Sequence, residues 1–478
     1  MPEALTARSR PWLDAAAWAR LERRAEAALR RSRSTGAPVL VSVTARLPWA
    51  ADPSAVVAGS RREGEQWFCF EQPDRDAAAV AALGCVTALE TDGPDRFTRL
   101  AERWRDVAGA AFADDCDGPP GSGLAAIGGF AFDPRGGASP AWSGFAPASL
   151  TVPELSLVRR GEQTWLTVNR EVAGDDTVEE LLAGVERRLV ALGERPLPML
   201  DPDPIGAYDV ASPMPPAHYE EAVSRAVARI AAGEFQKVVL AREVEVHAPT
   251  DHEPAAVFGL LREAFASSFV YAVGRGDATF IGATPELLIR REGQRATTVA
   301  LAGSARRSAD PAVDDHLGEQ LLRSTKDREE NAIVARRIAR TLRPVSVWVT
   351  PPPEPVVVRV ANIQHLAAPI RAQLASPVDA VALAGRLHPT PAVGAEPAGA
   401  LSAIPALEGF DRGWYAGAVG WTDASGDGEF CVALRCALLR GRVARCYAGC
   451  GIVRDSDPAA ELAETEVKLQ VMLPVLAG

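Results

Sequence analysis

Lysine is almost absent from this 478-residue chain. It supplies three of the 51 basic residues, Lys237, Lys326 and Lys468, and the remaining 48 are arginines. No lysine follows a glycine, so the chain lacks a Gly-x-x-x-x-Gly-Lys loop for nucleotide phosphates, and the Gly-x-Ser-x-Gly and His-Glu-x-x-His motifs are missing too. Because arginine keeps its proton in proteins, a retained lysine suits a site that needs a deprotonable amine or a compact ammonium. The alternative is that these three lysines remain by chance in a composition biased toward arginine.

Long apolar runs, paired cysteines and a positive net charge are also lacking. No stretch approaches the roughly 18 consecutive apolar residues of a membrane span, and residues 1–34 contain no apolar segment typical of a signal peptide. Seven scattered cysteines without a Cys-x-x-Cys pair favour reduced thiols. With 62 acidic and 51 basic residues the net charge is −11, which disfavours nucleic-acid binding. We therefore expect a cytoplasmic protein without a membrane or nucleic-acid partner.

Two of the lysines fall in segments whose patterns predict regular elements. Residues 235–246 are typical of a strand that carries Lys237. A helix is predicted around residues 321–337, where Asp327 and Glu330 share one face.

A final helix is predicted to begin with Asp457 as its N-cap and Pro458 at its first position. It presents Glu461, Glu464 and Lys468 on one face. Such a pattern is commonly a solvated face with an ion pair. The alternative is a functional acidic surface beside a glycine turn.

That glycine turn is Gly449-Cys450-Gly451, which suggests that the backbone closely approaches another group. Nearby, the apolar segment 431–439 is predicted as a strand and contains Arg435. An arginine is costly to bury without an anion, and a ligand carboxylate would bind it in a bidentate way.

These residues belong to an ordered series of motifs that resembles the chorismate-utilising enzymes, which include isochorismate, salicylate, anthranilate and aminodeoxychorismate synthases. The resemblance is strongest over residues 219–473. The motifs are Phe-Gln-Lys-Val-Val-Leu-Ala-Arg at 235–242, Gly-Ala-Thr-Pro-Glu-Leu-Leu at 282–288, Leu-Ala-Gly-Ser at 301–304, Lys-Asp-Arg-Glu-Glu at 326–330, His-Pro-Thr-Pro-Ala-Val at 388–393, Tyr-Ala-Gly at 415–417 and Glu-x-x-Glu-Thr-x-x-Lys at 461–468. The N-terminal half contributes mainly Gly-Gly-Phe-Ala-Phe-Asp at 128–133.

The resemblance implies an α+β fold like that of anthranilate synthase component I, with two large packed β-sheets and helices on the outside. It implies one chorismate-binding domain over residues 1–478, with a less typical half at 1–200 and a catalytic core at 201–478. The proline-rich stretch 196–216 is then internal to that domain rather than a linker.

The resemblance also implies a site that binds chorismate and Mg²⁺. Lys237 is expected to act as the base and Glu286 as the acid, with Glu330 and Glu464 as metal ligands and Asp327 and Glu461 holding metal-bound water. The expected substrate-binding residues are Gly303, Ser304, His365, Ala392, Tyr415, Arg435, Gly449, Gly451 and Lys468.

Three positions bear on which reaction is implied. Lys237 favours water over ammonia as the nucleophile, and Ala302 stands where aminodeoxychorismate synthases carry a lysine nucleophile. No amidotransferase subunit is therefore implied, and a monomer is expected. Ala392 followed by Val393 favours a reaction that stops at isochorismate, whereas salicylate synthases tend to have threonine first.

Three functions remain open: an isochorismate synthase, a salicylate synthase that also eliminates pyruvate, and a chorismate-binding protein without catalysis. The pathway, to menaquinone, a siderophore or another metabolite, is also open. Asn331 stands where the family usually has histidine after the metal-binding glutamate, and we expect it to tune the groups around the metal. Lys326 is expected to pair with neighbouring acids.

Overall fold

Runs of β-branched and small apolar residues form most of the strands in the computed structural model, which describes residues 12–201, 206–360 and 363–477. The strands are β1 (Val39–Arg46), β2 (Trp67–Gln72), β3 (Ala78–Leu83), β4 (Thr87–Thr91), β5 (Phe112–Ala113), β6 (Ala125–Phe130), β7 (Ala148–Val152), β8 (Leu155–Arg160), β9 (Gln163–Val172), β10 (Asp209–Ala211), β11 (Lys237–His247), β12 (Phe269–Arg275), β13 (Ala278–Thr284), β14 (Leu287–Glu292), β15 (Arg295–Arg306), β16 (Ser346–Thr350), β17 (Val356–Arg359), β18 (Ile363–Leu374), β19 (Ala395–Glu396), β20 (Ala418–Asp423), β21 (Gly428–Val432), β22 (Cys436–Arg440) and β23 (Val443–Ile452).

The helices connect these strands and cover the sheets. They are α1 (Ala15–Thr35), α2 (Pro53–Ser60), α3 (Arg96–Ala110), α4 (Val178–Val190), α5 (Pro216–Ala231), α6 (Pro254–Ala264), α7 (Pro311–Arg323), α8 (Thr325–Leu342), α9 (Ala380–Leu387), α10 (Ile404–Glu408), α11 (Pro458–Leu469) and α12 (Leu473–Leu476), with 3₁₀ turns at Pro140–Trp142, Arg343–Val345 and Ala398–Ala403. Among the described residues, no helix is long and apolar enough to cross a membrane.

The strands form two large sheets. The first has the order β10-β11-β23-β22-β13-β12-β2-β3-β8-β9-β1-β5, with β19 beside β11. The second has the order β16-β18-β15-β14-β21-β20-β6-β7-β4, with β17 beside β18. Side chains from both sheets, such as Phe70 of the first and Ile127 of the second, share one apolar core. This arrangement confirms the predicted α+β fold with two large sheets and outer helices.

Each half contributes one contiguous block of strands to each sheet, and the two blocks meet at a single strand pair. In the first sheet β12 pairs with β2, matching Val270 to Glu71. In the second sheet β20 pairs with β6, matching Ala418 to Phe130. Each sheet therefore depends on strands from both sides of the proline-rich stretch.

Two connections cross side by side from one sheet to the other, and they position the site. The chain leaves β13 in the first sheet and enters β14 in the second through Pro285 and Glu286. It leaves β21 in the second sheet and enters β22 in the first through residues 433–435. The amide of Val432 donates to the Glu286 carbonyl (2.9 Å) and the amide of Ala283 to the Arg435 carbonyl (3.1 Å), which couples the crossings.

The second crossing corrects the prediction of one strand over residues 431–439. Arg435 has a φ of 48° and lies between β21 and β22 rather than inside a strand. A left-handed backbone at a non-glycine residue is unfavourable, so the surrounding structure has to impose it.

The predicted acidic helices are largely confirmed. The final helix, α11, begins as expected, with the Asp457 carboxylate accepting from the amide of Ala460 (2.9 Å) and Pro458 at the first position. The helix predicted around residues 321–337 is instead two helices that meet at Ser324. Its hydroxyl accepts from the amide of Asp327 (3.2 Å), so α8 restarts there and places Asp327 in its first turn.

Candidate active site

A cleft with about 830 Å³ of empty space lies beside the two crossings and is bordered by β15, β23, α8 and α11. It is lined by every residue predicted for the site except Lys237, namely Glu286, Gly303, Ser304, Asp327, Glu330, His365, Ala392, Tyr415, Arg435, Gly449, Gly451, Glu461, Glu464 and Lys468. Residues from six separate motifs therefore meet in one place.

Lys237 lies directly behind this lining. It is the first residue of β11 and is completely buried. Its Nζ is 2.8 Å from Glu330 Oε1, but the geometry is not that of a hydrogen bond, and Nζ has no hydrogen-bond partner among the described residues. A Cβ at Gly451 would lie 2.7 Å from Lys237 Cε and 2.3 Å from Glu330 Oε1. Glycine at 451 therefore leaves the space in which amine and carboxylate meet.

Glu286 lies on the crossing between β13 and β14 and is 4% exposed. Burial raises its pKa to about 8, although the charges of Lys237, Arg435 and Lys468 act in the opposite direction. The side chain is therefore mainly protonated at neutral pH, as a general acid requires. Glu330, which the Lys237 amine contacts, lines the same cleft as Glu286.

Helices α8 and α11 bring four carboxylates to one side of the cleft: Asp327, Glu330, Glu461 and Glu464. Each glutamate is paired with a lysine. Besides the Lys237–Glu330 contact, Lys468 Nζ lies 2.6 Å from Glu464 Oε1 and Lys326 Nζ lies 3.3 Å from Glu461 Oε1. The three lysines of the chain thus converge on this cluster, which favours the functional interpretation of their retention.

Asp327, Glu461 and Glu464 differ in how readily they ionise. Burial acts to raise the pKa of Glu464, but Lys468 and the hydroxyl of Ser304 outweigh it and lower the pKa to about 2. Burial raises the pKa of Asp327 and of Glu461, and neighbouring glutamates add to both shifts. The cluster therefore concentrates negative charge that a cation would stabilise.

Arg435 supplies positive charge on another part of the lining. No carboxylate of the described residues lies within ion-pair distance of it, and its Nη2 donates to His365 Nε2 (3.4 Å). Burial, together with Arg435 and Lys468, lowers the pKa of His365 to about 3. The imidazole is therefore neutral, and its Nδ1–H donates to the Gly303 carbonyl (3.3 Å). Arg435 remains free to bind a ligand anion.

Gly303 and Ser304 lie on a bulge of β15, where pairing with β18 shifts between Leu301 and Ser304. Ser304 donates to Glu464 Oε1 (2.8 Å). Gly303 has a φ of 80°, and a Cβ there would lie 2.9 Å from Asp327 Cβ. The bulge thus links β15 to both acidic helices.

Asn331 hydrogen-bonds to the main chain. Its Nδ2 donates to the carbonyls of Ala300 (3.1 Å), Ala302 (3.3 Å) and Leu366 (2.9 Å), so it holds the bulge of β15 to β18. Its expected effect on the groups around the metal stays a prediction.

Tyr447 is a lining residue that the sequence analysis missed. Its ring stacks on that of Tyr415, with centroids 5.1 Å apart. Residues 447, 449 and 451 share one face of β23 because strand side chains alternate, so the predicted role of Gly449 and Gly451 could have identified it. Lys326 was predicted only to pair with acids; it does so with Glu461 and also lines the cleft.

The fold resembles those of solved chorismate enzymes. The menaquinone-specific isochorismate synthase MenF of Escherichia coli has a TM-score of 0.76 and 27% identity, covering 96% of this chain and 100% of that one. Anthranilate synthase component I of Streptococcus pneumoniae shares the fold with a TM-score of 0.64 at 21% identity, covering 89% and 91%.

Sequence comparison identifies the class more narrowly. The model of a family described as chorismate binding enzyme matches residues 25–477, and the chain belongs to that family. It is 37% identical over 454 residues to the salicylate biosynthesis isochorismate synthase of Pseudomonas aeruginosa, covering 95% of this chain and 93% of that one. It is 32% identical over 459 residues to isochorismate synthase MenF of Bacillus subtilis, covering 94% and 96%.

Proposed function

We propose that this protein is an isochorismate synthase, which converts chorismate into its isomer isochorismate. The main support for the proposal is that a buried amine, Lys237, and a protonated carboxylic acid, Glu286, lie at one cleft. The same cleft also holds a cluster of carboxylates. The names of the two relatives compared over nearly their full length support the same reaction.

In the proposed reaction, water adds at C2 of chorismate and the C4 hydroxyl leaves as water, so the mass is unchanged. Lys237 takes a proton from the attacking water, for which its amine has to be uncharged. Glu286 gives its proton to the departing hydroxyl, which its raised pKa of about 8 permits at neutral pH. The reaction removes a proton from the attacking water and gives one to the leaving hydroxyl, so it needs a base and an acid at the same substrate ring.

The two carboxylates of chorismate require positive partners in the cleft. Arg435 has no carboxylate partner among the described residues, and we assign it to one substrate carboxylate, which its planar guanidinium matches. Lys468, which donates to the Gly449 carbonyl (2.8 Å), is a second cation on the lining of the same cleft. An acidic protein can bind a dianion where an arginine, a lysine and a bound metal ion face the ligand.

The residues fit the proposed Mg²⁺ cofactor. Glu461, Glu464 and Cys450 each offer a potential ligand atom within 4.8 Å of the others. Burial raises the pKa of the Cys450 thiol, so it stays protonated and the carboxylates are the suitable donors for a hard cation. Glu330 and Glu464 would hold the ion, with Asp327 and Glu461 orienting its water. The ion would neutralise a substrate carboxylate.

One incubation with chorismate and Mg²⁺, followed by chromatography, separates the three functions. We expect an isomer of unchanged mass. Salicylate with pyruvate would instead identify a salicylate synthase, and unchanged chorismate would identify a binding protein.

The metal is tested in the same assay by adding a chelator. We expect product formation to stop and to return when Mg²⁺ is restored. Mg²⁺ should also raise the Tm of the wild type but not that of Glu464→Gln, because ligand binding stabilises the folded state. Full activity in excess chelator would remove the metal from the proposal.

A further inference from the structure

An ion pair between Glu408 and Arg412 lies behind the cleft, outside the groups assigned to the reaction. Their side chains are 1% and 3% exposed. Arg412 Nε donates to Glu408 Oε2 (2.9 Å), and its Nη2 donates to Oε1 of the same carboxylate. The pair connects the end of α10 to the segment that leads into Tyr415.

The remaining donors of this pair connect parts of the cleft wall. Arg412 Nη1 donates to the Val393 carbonyl (3.0 Å) and Nη2 to the Val239 carbonyl (2.9 Å). Glu408 Oε1 in turn accepts from the amide of Ala241 (2.7 Å). Val239 and Val393 both line the cleft. The pair therefore joins β11, two residues beyond Lys237, to the turn that contains Ala392.

Tyr415, which belongs to a third part of the cleft wall, lies near the same guanidinium. The Arg412 Cζ lies 5.7 Å from the centroid of the Tyr415 ring and 4.2 Å from that of Phe132. Tyr415 lines the cleft. One planar group thus contacts two distant segments, at Val239 and Val393, and lies near the ring of Tyr415 three residues along the chain.

Stability does not account for such a pair. A buried ion pair commonly gains little over well-packed apolar residues, because desolvation offsets the Coulomb attraction. A guanidinium fork does fix the separation and the angle of the groups that it binds, and a lysine does not. The main chain also links these segments, through the pairing of β11 with β19 and from the amide of Val239 to the Gly394 carbonyl (2.7 Å).

We infer that the Glu408–Arg412 pair is a positioning device, which sets the wall formed by Val239, Val393 and Tyr415 at the distance from Lys237 that water addition requires. The inference rests on the proposed function. Misplacing reacting groups by about 1 Å can cost on the order of 100-fold in rate.

The test compares Arg412→Lys with Arg188→Lys. Arg188 is 1% exposed, pairs with Glu65 and with Glu154 (2.9 Å), and lies in α4 away from the cleft. We expect a similar loss of Tm in both variants. With both folded at the assay temperature, kcat should fall on the order of 10 to 100-fold in Arg412→Lys. In Arg188→Lys kcat should stay unchanged. The KM of Arg412→Lys should change little because Arg435 and Lys468 remain.

A double variant separates positioning from stability. Glu408→Gln with Arg412→Met removes both charges, so it should regain Tm relative to Arg412→Lys. Its kcat should stay low because the donors to Val239 and Val393 are lost. Recovery of kcat together with Tm would show that the pair is only structural and would overturn the inference.

Hydrogen exchange supplies a readout that does not depend on turnover. Peptides covering residues 237–241 and 390–394 should exchange faster in Arg412→Lys than in the wild type. In Arg188→Lys their exchange rates should equal those of the wild type. Unchanged exchange in both segments overturns the inference. A wild type that leaves chorismate unconverted refutes the proposed function instead, and exchange still decides whether the pair positions the wall.

Discussion

Glu286 and Glu464 line the same cleft, yet their carboxyl groups have pKa values of about 8 and about 2. Glu286 is 4% exposed, whereas 34% of the Glu464 side chain is exposed, and their contacts differ as well. Glu464 has Lys468 at 2.6 Å and a hydrogen bond from Ser304, whereas no lysine or arginine of the described residues lies within ion-pair distance of Glu286. One group is thereby kept charged and the other neutral, as the proposed cation site and the proposed proton donor require.

Glu286→Gln should remove proton donation, with a loss in kcat on the order of 10² to 10⁴-fold. In the wild type kcat/KM should fall as pH rises through about 8, where the acid loses its proton. Glu71→Gln is the matched control, because Glu71 is also buried with a raised pKa but lies outside the cleft lining. Full turnover by Glu286→Gln would rule out its role as the acid.

The same proton affects stability. Between about pH 4.5, the ordinary value, and about pH 8, the folded protein holds a proton at Glu286 that the unfolded chain has released. The free energy of unfolding therefore decreases as pH rises across this window. Denaturant titrations of Glu286→Gln should show a shallower decrease than the wild type. An identical pH dependence would contradict the raised pKa.

Lys237→Ala should abolish water addition, with a loss on the order of 10² to 10⁴-fold, while chorismate still binds. The substrate anchors Arg435 and Lys468 do not depend on the Lys237 side chain for their contacts. Calorimetry with Mg²⁺ and chorismate measures the binding, and chromatography measures the product. Retained turnover would show that another group activates the water.

At the scale of elements, the sequence was sufficient to predict a boundary that short-range contacts define. Asp457 and Pro458 define the start of α11 by capping alone, and the structure confirms it. The boundary at Ser324 was missed because an uninterrupted helical pattern hides a serine that can cap. Arg435 was placed in a strand because its apolar neighbours continue on both sides, although the chain changes sheets there. Such a crossing depends on distant pairing partners.

The site was predictable residue by residue only through the motif resemblance. Spacing indicated two acidic helix faces, but no local pattern places Glu286 beside Arg435, since that contact arises from two crossings 149 positions apart in sequence. No local pattern shows the contacts of Asn331 either. Its neighbour Glu330 faces the cleft, while its own side chain turns to the bulge of β15.

Gly451→Ala tests how closely β23 approaches α8. The added Cβ would lie 2.3 Å from Glu330 Oε1 and 2.7 Å from Lys237 Cε, so both groups have to shift. We expect kcat to fall on the order of 100-fold. Gly109→Ala in α3 is the control, because nothing lies within 4 Å of its added Cβ. Equal activity of the two variants would show that the contact has no role in the reaction.

At the scale of the molecule, each sheet joins a block of N-terminal strands to a block of C-terminal strands through one strand pair. Without residues 1–201, β12 would lose its partner β2 and β20 its partner β6, which exposes one edge in each sheet. Apolar side chains such as Phe70 and Phe269, whose ring centroids lie 5.5 Å apart across the halves, would also become exposed. Unprotected edges with apolar surface promote aggregation.

This junction in both sheets predicts that the chain is one folding unit, although the motifs concentrate in its second half. Residues 1–201 and 206–477, expressed separately, should each be insoluble or unfolded by circular dichroism. Expressed together, they should form a soluble complex that unfolds in a single transition and converts chorismate, because the pairing of β2 with β12 and of β6 with β20 is restored. A soluble 206–477 fragment with its own cooperative transition would show instead that the second half is an independent domain, to which the N-terminal strands are added.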